Sequence, residues 1–396
     1  MNTNTQHISL CDTKENHYVP QFYLKSFFNP SNTIFYYDKL SQKIYSTTTL
    51  QKIAVKKNLY TIQDKISPAD VQYFCDLFQI NPLPPLARQL LSCLICFLND
   101  ELKKLFSIQC KNDKKLEEQL NNLLEHRLNT PNLSRNQELL FSFYEEQFQP
   151  IYHQIIKTEN ATFLQVQEKA PTSYLAYKIM HRIFSYLGKK VAIVAKDYPQ
   201  ATPLPAYTFE NTLFNDKHLN CLHYIITQYF RIPLRLSSFS ISQSHQDTIT
   251  KRFGAPITEK NIMFLMLHFQ SLNVIDKLVS NNYRFILIKN QSKKAFITSD
   301  NPAINPFSRI SSAKEPPEEF EIFFPLSPNL ALLYTKYCLD KNFSPQTATI
   351  TLKDASQVVY WNQLLFKEAE RYVYANSKET LQEVISTNSS YCIKKL

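Results

Sequence analysis

His17-Tyr18-Val19-Pro20-Gln21-Phe22-Tyr23-Leu24-Lys25-Ser26-Phe27-Phe28, followed closely by Thr33-Ile34-Phe35-Tyr36-Tyr37, sets a helical period beside a strand-like run and calls for a mixed fold. Phe22, Leu24, Phe27 and Phe28 recur at helix-like spacing, and Pro20 falls at the first turn, where its missing N–H costs nothing. Three β-prone runs follow, Thr33 to Tyr37, Lys43 to Thr48 and Asn58 to Ile62, which predict a small antiparallel sheet close to His17.

From Ser67 onward the period is helical. Helices are expected over 68–79, 85–107, 114–127, 135–158, 162–188, 209–230 and 258–281, with breaks at Pro82, Pro84-Pro85, Pro131, Pro199, Pro203 and Pro205. A second β region begins at Tyr283, with strands expected over Tyr283–Ile288, Ala295–Thr298, Glu319–Phe324, Leu330–Tyr334 and Thr347–Leu352. Helices over Ala355–Tyr374 and Glu379–Ile385 close the chain. The expected fold is therefore α+β, a predominantly helical body with a small antiparallel β region formed from strands near both ends of the chain. The expected parts are a polar tail (1–13), an amino-terminal helix and β segment (14–66), a helical region with the character of an insert (67–205), and helices plus a second β region (206–396) that packs with 14–66.

A chain of 396 residues with 44% hydrophobic content can bury a real core. It has only two glycines, Gly188 and Gly254, against 21 prolines. Walker and Rossmann loops need several glycines where backbone amides approach phosphate, so a P-loop or dinucleotide site is excluded. The formal charge of +10 favours nucleic acid, a nucleotide or another anionic partner, although it is spread along the chain, with local excesses at Lys103-Lys104, Lys111, Lys114-Lys115, Lys251-Arg252 and Lys293-Lys294. Eight cysteines without framework spacing point to a reducing compartment, and Cys93 and Cys96, in an apolar run, read as core. No opening signal segment and no membrane-spanning stretch is evident, so a cytoplasmic location is expected, with a secreted effector lacking a cleaved signal as the alternative. A protein partner is an option for the 67–205 helices.

Three constellations carry candidate chemistry. His17, fixed by the nearby Pro20, has a side chain suited to a general base or metal ligand, and its string resembles the opening of a His-Asn-His nuclease hairpin without the downstream residues of one. Arg231 and Arg235, at the end of an apolar helix, suit a forked contact to phosphate, or a buried structural pairing. Ser299-Asp300-Asn301-Pro302 follows a strand, where Asp300 and Asn301 either meet a substrate or form a turn. His218, Cys221 and His223 crowd one helix but depart from metal-helix spacing and read as packing and surface residues.

Taken together, His17-Tyr18-Val19-Pro20-Gln21-Phe22-Tyr23-Leu24-Lys25-Ser26-Phe27, Ile34-Phe35-Tyr36-Tyr37-Asp38-Lys39, Ala54 to Tyr60, Gln228-Tyr229-Phe230-Arg231, Phe296-Ile297-Thr298-Ser299-Asp300-Asn301-Pro302, Phe324-Pro325-Leu326-Ser327-Pro328 and Asn362 resemble the mostly bacterial family known as domain of unknown function 4238. Asp70 and Asp76 are approximate counterparts of a family acidic residue. The resemblance implies that distant polar residues converge. On that basis His17, Asp300 and Asn301 are expected as catalytic residues, and Gln228, Arg231, Arg235 and Ser299 as substrate-binding residues, of an enzyme acting on nucleic acid or a nucleotide in bacterial conflict. A divalent metal is the candidate cofactor, with no ligand set assigned. The alternatives are a non-catalytic binding or scaffold protein and an effector acting on host protein.

Overall fold

Residues 15–57, 59, 65–77, 133–165, 216–232, 241–281, 283–309, 319–336 and 349–393 are described by a computed structural model. The expected helices over 85–107 and 114–127, most of 162–188, the Cys93/Cys96 pair, the lysines at 103–115, the 199–205 boundary and Arg235 lie outside the described residues.

The chain opens with strand β1 (Glu15–His17), a short helix α1 (Gln21–Leu24) running into a 3₁₀ turn, and strands β2 (Ile34–Asp38), β3 (Lys43–Thr47) and β4 (Val55–Lys57). Helices α2 (Pro68–Leu77), α3 (Leu133–Thr158), α4 (Asp216–Phe230), α5 (Gln243–Phe253) and α6 (Glu259–Ser280) come next. Strands β5 (Arg284–Asn290), β6 (Thr298–Ser299), β7 (Ile322–Ser327), β8 (Leu330–Thr335) and β9 (Thr349–Leu352) follow, then α7 (Ala355–Glu368), β10 (Tyr372–Ala375) and α8 (Lys378–Ile393).

The expectation of a helical body with a small β region is overturned. The described residues hold eight helices and ten strands in three sheets of two, four and four strands. The small sheet pairs β1 with β4; a second has the order β3-β2-β10-β6, antiparallel throughout; the third has the order β7-β8-β5-β9, in which β9 runs parallel to β5. Two local errors underlie the difference. The closing helix stops at Glu368, and Tyr372–Ala375, expected to be its last turn, is the strand that joins β2 to β6. The strand expected over Ala295–Thr298 forms its ladder only at Thr298–Ser299. The strand expected over Asn58–Ile62 falls, Leu59 apart, outside the described residues.

Why the third sheet is central follows from its side chains. Phe285, Leu287, Phe324, Leu332 and Tyr334 enter one core with α3, α4 and α6, while Ile286, Ile288, Phe323, Ala331 and Leu333 enter a second core with α7 and α8. A sheet covered on both faces reads as a continuous apolar run, which is what β5, β7 and β8 are. The β3-β2-β10-β6 sheet alternates similarly: Phe35, Tyr37, Ile44, Val373 and Ala375 face the second core, and Ile34, Tyr36, Tyr372 and Tyr374 the other side.

With glycine nearly absent, side-chain amides and carboxylates punctuate the chain. Asn362 of α7 accepts from Ile297 N (3.1 Å) and donates to Ala295 O (2.8 Å), completing the backbone bonds of a segment that lacks a ladder there. Asn290 caps its own turn by accepting from Ser292 N at 3.0 Å. Gly254, at φ +76°, ends α5 in the left-handed conformation that favours glycine.

Candidate functional site

Gln228 in the last turn of α4 and Arg231 just past its end, whose N–H still bonds to Thr227 O at 2.9 Å, both turn towards the backbone of the His17-Tyr18 element. Gln228 Nε2 donates to Tyr18 O at 2.7 Å, and Arg231 Nε donates to the same oxygen at 3.1 Å. Arg231 Nη2 reaches His17 O (3.1 Å), Nη1 reaches Glu145 Oε1 (2.9 Å), and the guanidinium lies 5.1 Å from the Phe141 ring centroid. Arg231 is 1% exposed. A buried guanidinium needs its donors satisfied, and here two backbone carbonyls and a carboxylate do so.

His17 itself keeps partial exposure. Its Nε2 accepts from Gln21 Nε2 at 2.9 Å, which makes Nδ1 the protonated nitrogen, donating to Ile53 O at 3.2 Å. Tyr18 N donates to Ala54 O (3.0 Å), so the element is fastened on both sides.

Asp300 is buried. Its Oδ1 accepts from Glu370 N (2.8 Å), and its Oδ2 accepts from Arg371 N (2.7 Å) and Tyr372 N (2.8 Å), while Asp300 N donates to Tyr372 O (3.0 Å). Burial pushes the carboxyl up to about 6 against the pull of these three amides. Ser299 Oγ donates to Asn301 O and accepts from Asn301 N, and Asn301 Nδ2 donates to Glu368 O at 3.2 Å. The Ser-Asp-Asn segment thus receives the chain as it leaves α7 and turns it into β10. The same turn is held from outside by Asp38, which accepts from Arg371 Nε (3.0 Å) and Nη2 (2.9 Å). That pairing holds the Asp38 carboxyl below its ordinary range.

Two polar knots result, one around residues 17–18 and 228–231, the other around 299–301 and 368–372. Tyr23 ties α1 to the strands beside the second knot: its hydroxyl bonds with Thr298 Oγ1 (2.6 Å) and donates to Pro325 O (2.7 Å). Tyr374 lies between them, its fully buried phenol raised well above its ordinary value by burial and by the nearby Tyr18 and Asp300. Sequence reasoning passes over Tyr23, Asp38, Arg371 and Tyr374. Tyr23 and Asp38, inside the quoted motifs, carried a signal, whereas Arg371 and Tyr374 were hidden in the supposed closing helix. Asp70 is also buried and structural, accepting from Ser67 N, Thr258 N and Asn261 Nδ2, which ties α2 to the start of α6. Among the described residues no group of three or more His, Cys, Asp or Glu side chains is arranged to hold a metal ion.

The helix crowded by His218, Cys221 and His223 is α4, and all three are buried. His218 bonds with Leu164 O (2.7 Å) and Tyr334 OH (3.0 Å), and burial lowers it to about 4; burial lowers His268 to about 3. Below pH ~6.5 an unfolded histidine takes up a proton that these two refuse, so each removes about 1.4 kcal/mol of stability per pH unit until its folded value is reached. Asp300, raised to about 6, works oppositely between its unfolded value and 6: there the folded state holds the proton more tightly and gains stability as pH falls. Two histidines outweigh one carboxyl, and urea unfolding is expected to show a loss of roughly 2–3 kcal/mol from pH 7 to pH 5. His218→Gln should flatten that slope; a wild-type midpoint unchanged between the two pH values contradicts it.

The model of a family described as "Protein of unknown function (DUF4238)" matches residues 15–379. No curated protein and no solved structure matches the chain. Among the described residues, no helix is long and apolar enough to cross a membrane.

Proposed function

The chain belongs to the DUF4238 family, and from that premise we propose that it is a non-catalytic binding protein whose motif residues frame the fold. One observation supports this reading above others: both oxygens of Asp300 and the nitrogens of Arg231 are engaged by the protein's own backbone and by Glu145. A general base or phosphate clamp needs those atoms free to meet substrate. The net charge of +10 favours an anionic partner, and nucleic acid is the class we adopt.

A second reading, an enzyme acting on nucleic acid or a nucleotide, is favoured by one observation: His17, alone of the described candidate residues, keeps partial exposure. The two readings separate in one experiment. Wild type and His17→Ala, matched for folding by circular dichroism, are incubated with single- and double-stranded DNA and RNA and with nucleotides, with and without divalent cations. No turnover is expected from either. Turnover by wild type that His17→Ala abolishes would replace the binding reading with the enzymatic one.

A further inference from the structure

The β3-β2-β10-β6 sheet has a face that neither polar knot explains. Its register aligns Tyr45, Tyr36 and Tyr374 in one rung and Lys43, Asp38 and Tyr372 in the next. The rings touch: Tyr36 stacks on Tyr45 with centroids 5.3 Å apart at 26°, meets Tyr372 edge-on at 5.9 Å, and lies 6.3 Å from Tyr374. The row runs from the inside out. Tyr374 is fully buried, and its hydroxyl has no hydrogen-bond partner among the described residues; Tyr36 and Tyr372 are half-buried, and Tyr45 is 40% exposed. Arg371 stands beside the row, its guanidinium carbon 4.7 Å from the Tyr372 ring centroid. Asp38 takes its Nε and Nη2, leaving Nη1 directed to no described partner, on a side chain that is 44% exposed.

We propose that this face binds single-stranded nucleic acid, with bases stacking on the Tyr45–Tyr36–Tyr372 row and a phosphate meeting Arg371 and Lys43. The identification deepens the binding-protein reading and rests on it. Unpaired bases expose π faces that match tyrosine rings in any sequence, whereas a duplex hides them. The phenol keeps a polar tip at the wet end of an apolar body, which suits a surface that is intermittently covered. Charge is complementary: the Asp38–Arg371 pair is neutral as a unit, Lys43 adds an exposed positive charge in the same rung, and the chain as a whole is at +10. The opposite face of the sheet supplies Phe35, Tyr37, Ile44 and Val373 to one core; on this face Tyr374 belongs to the other core and Tyr36 and Tyr372 pack partly against it, which leaves Tyr45 as the exposed end of the row.

The test is fluorescence anisotropy of a labelled 12-nucleotide oligouridylate, the same oligomer annealed to its complement, and heparin as a competing polyanion, with full-length protein. The single strand is expected to bind at least tenfold more tightly than the duplex. Tyr45→Ala, at the exposed end of the row, should weaken single-strand binding about tenfold with an unchanged melting midpoint, while Tyr45→Phe should retain it. Single strand and duplex bound equally, with Tyr45→Ala indifferent, would mean attraction by net charge alone and overturns the proposal. So does an absence of single-strand binding, including the case in which sedimentation finds a dimer that Tyr45→Ala dissociates. Failure here with no turnover in the His17 comparison leaves a binding protein with another ligand; turnover together with Tyr45-dependent binding overturns the non-catalytic reading and keeps this surface.

Discussion

Asp300→Ala is expected to lower the unfolding free energy by about 3–5 kcal/mol, enough to threaten folding at physiological temperature. The buried carboxylate is the acceptor for three consecutive backbone amides of a part-buried turn, at 2.7–2.8 Å. Alanine leaves all three without it, and a buried amide without an acceptor costs about 1–3 kcal/mol, partly relieved where water enters. Asp300→Asn should fall between, because a carboxamide offers one acceptor oxygen where the carboxylate offers two and turns an N–H group towards backbone donors. Urea unfolding followed by the fluorescence of the single tryptophan reports it. Trp361 stacks on Phe323, centroids 4.1 Å apart, in the core that β10 helps to close. An Asp300→Ala midpoint close to wild type would mean that the turn from α7 into β10 stands without its carboxylate, and the structural account of the motif would fail.

Arg231→Ala should cost about as much, about 3–5 kcal/mol, by a different route. Its loss removes a donor from His17 O and one of the donors to Tyr18 O, and takes the paired cation from Glu145. Arg231→Lys is the sharper variant. An ammonium on a flexible stem has no planar fork to serve three acceptors in separate directions, so lysine should recover less than half of the loss. If lysine restores wild-type stability, charge alone matters at this position and the fork geometry does not.

Local periodicity found most elements with useful accuracy, including β2, β3, β5, β8 and the long helices α3, α4 and α6. It failed where punctuation comes from afar. Nothing between Glu368 and Tyr372 marks a helix end, since no glycine or proline stands there; the break is made by Asp300 and Asp38, 70 and more than 300 positions away. Likewise Ala295–Ile297 reads as a strand, yet a side chain of α7 takes the place of the neighbouring strand. The motif residues were legible as a group, but their role was not. A buried Asp that holds amides and an Asp that holds a nucleophile have the same letter, and only burial and partners distinguish them. The tyrosines of the sheet face were visible as composition, but the row exists only once residues 36, 45 and 372 share a surface.

The β2–β10 pairing also has a consequence for biosynthesis. Phe35 lies opposite Ala375, so the inner ladder of that sheet joins residues 340 positions apart. A ribosome adding about 5–20 residues per second exposes β2 and β3 for roughly 20–70 s before their partner has been made. During that interval the Phe35, Tyr37 and Ile44 side is uncovered, because its core partners on β10, α7 and α8 come from the last part of the chain. High contact order of this kind slows folding and leaves an unpaired edge open to association. Nascent chains stalled before residue 372 are therefore expected to be captured by holdase chaperones in a ribosome pull-down, and chains released beyond α8 are not.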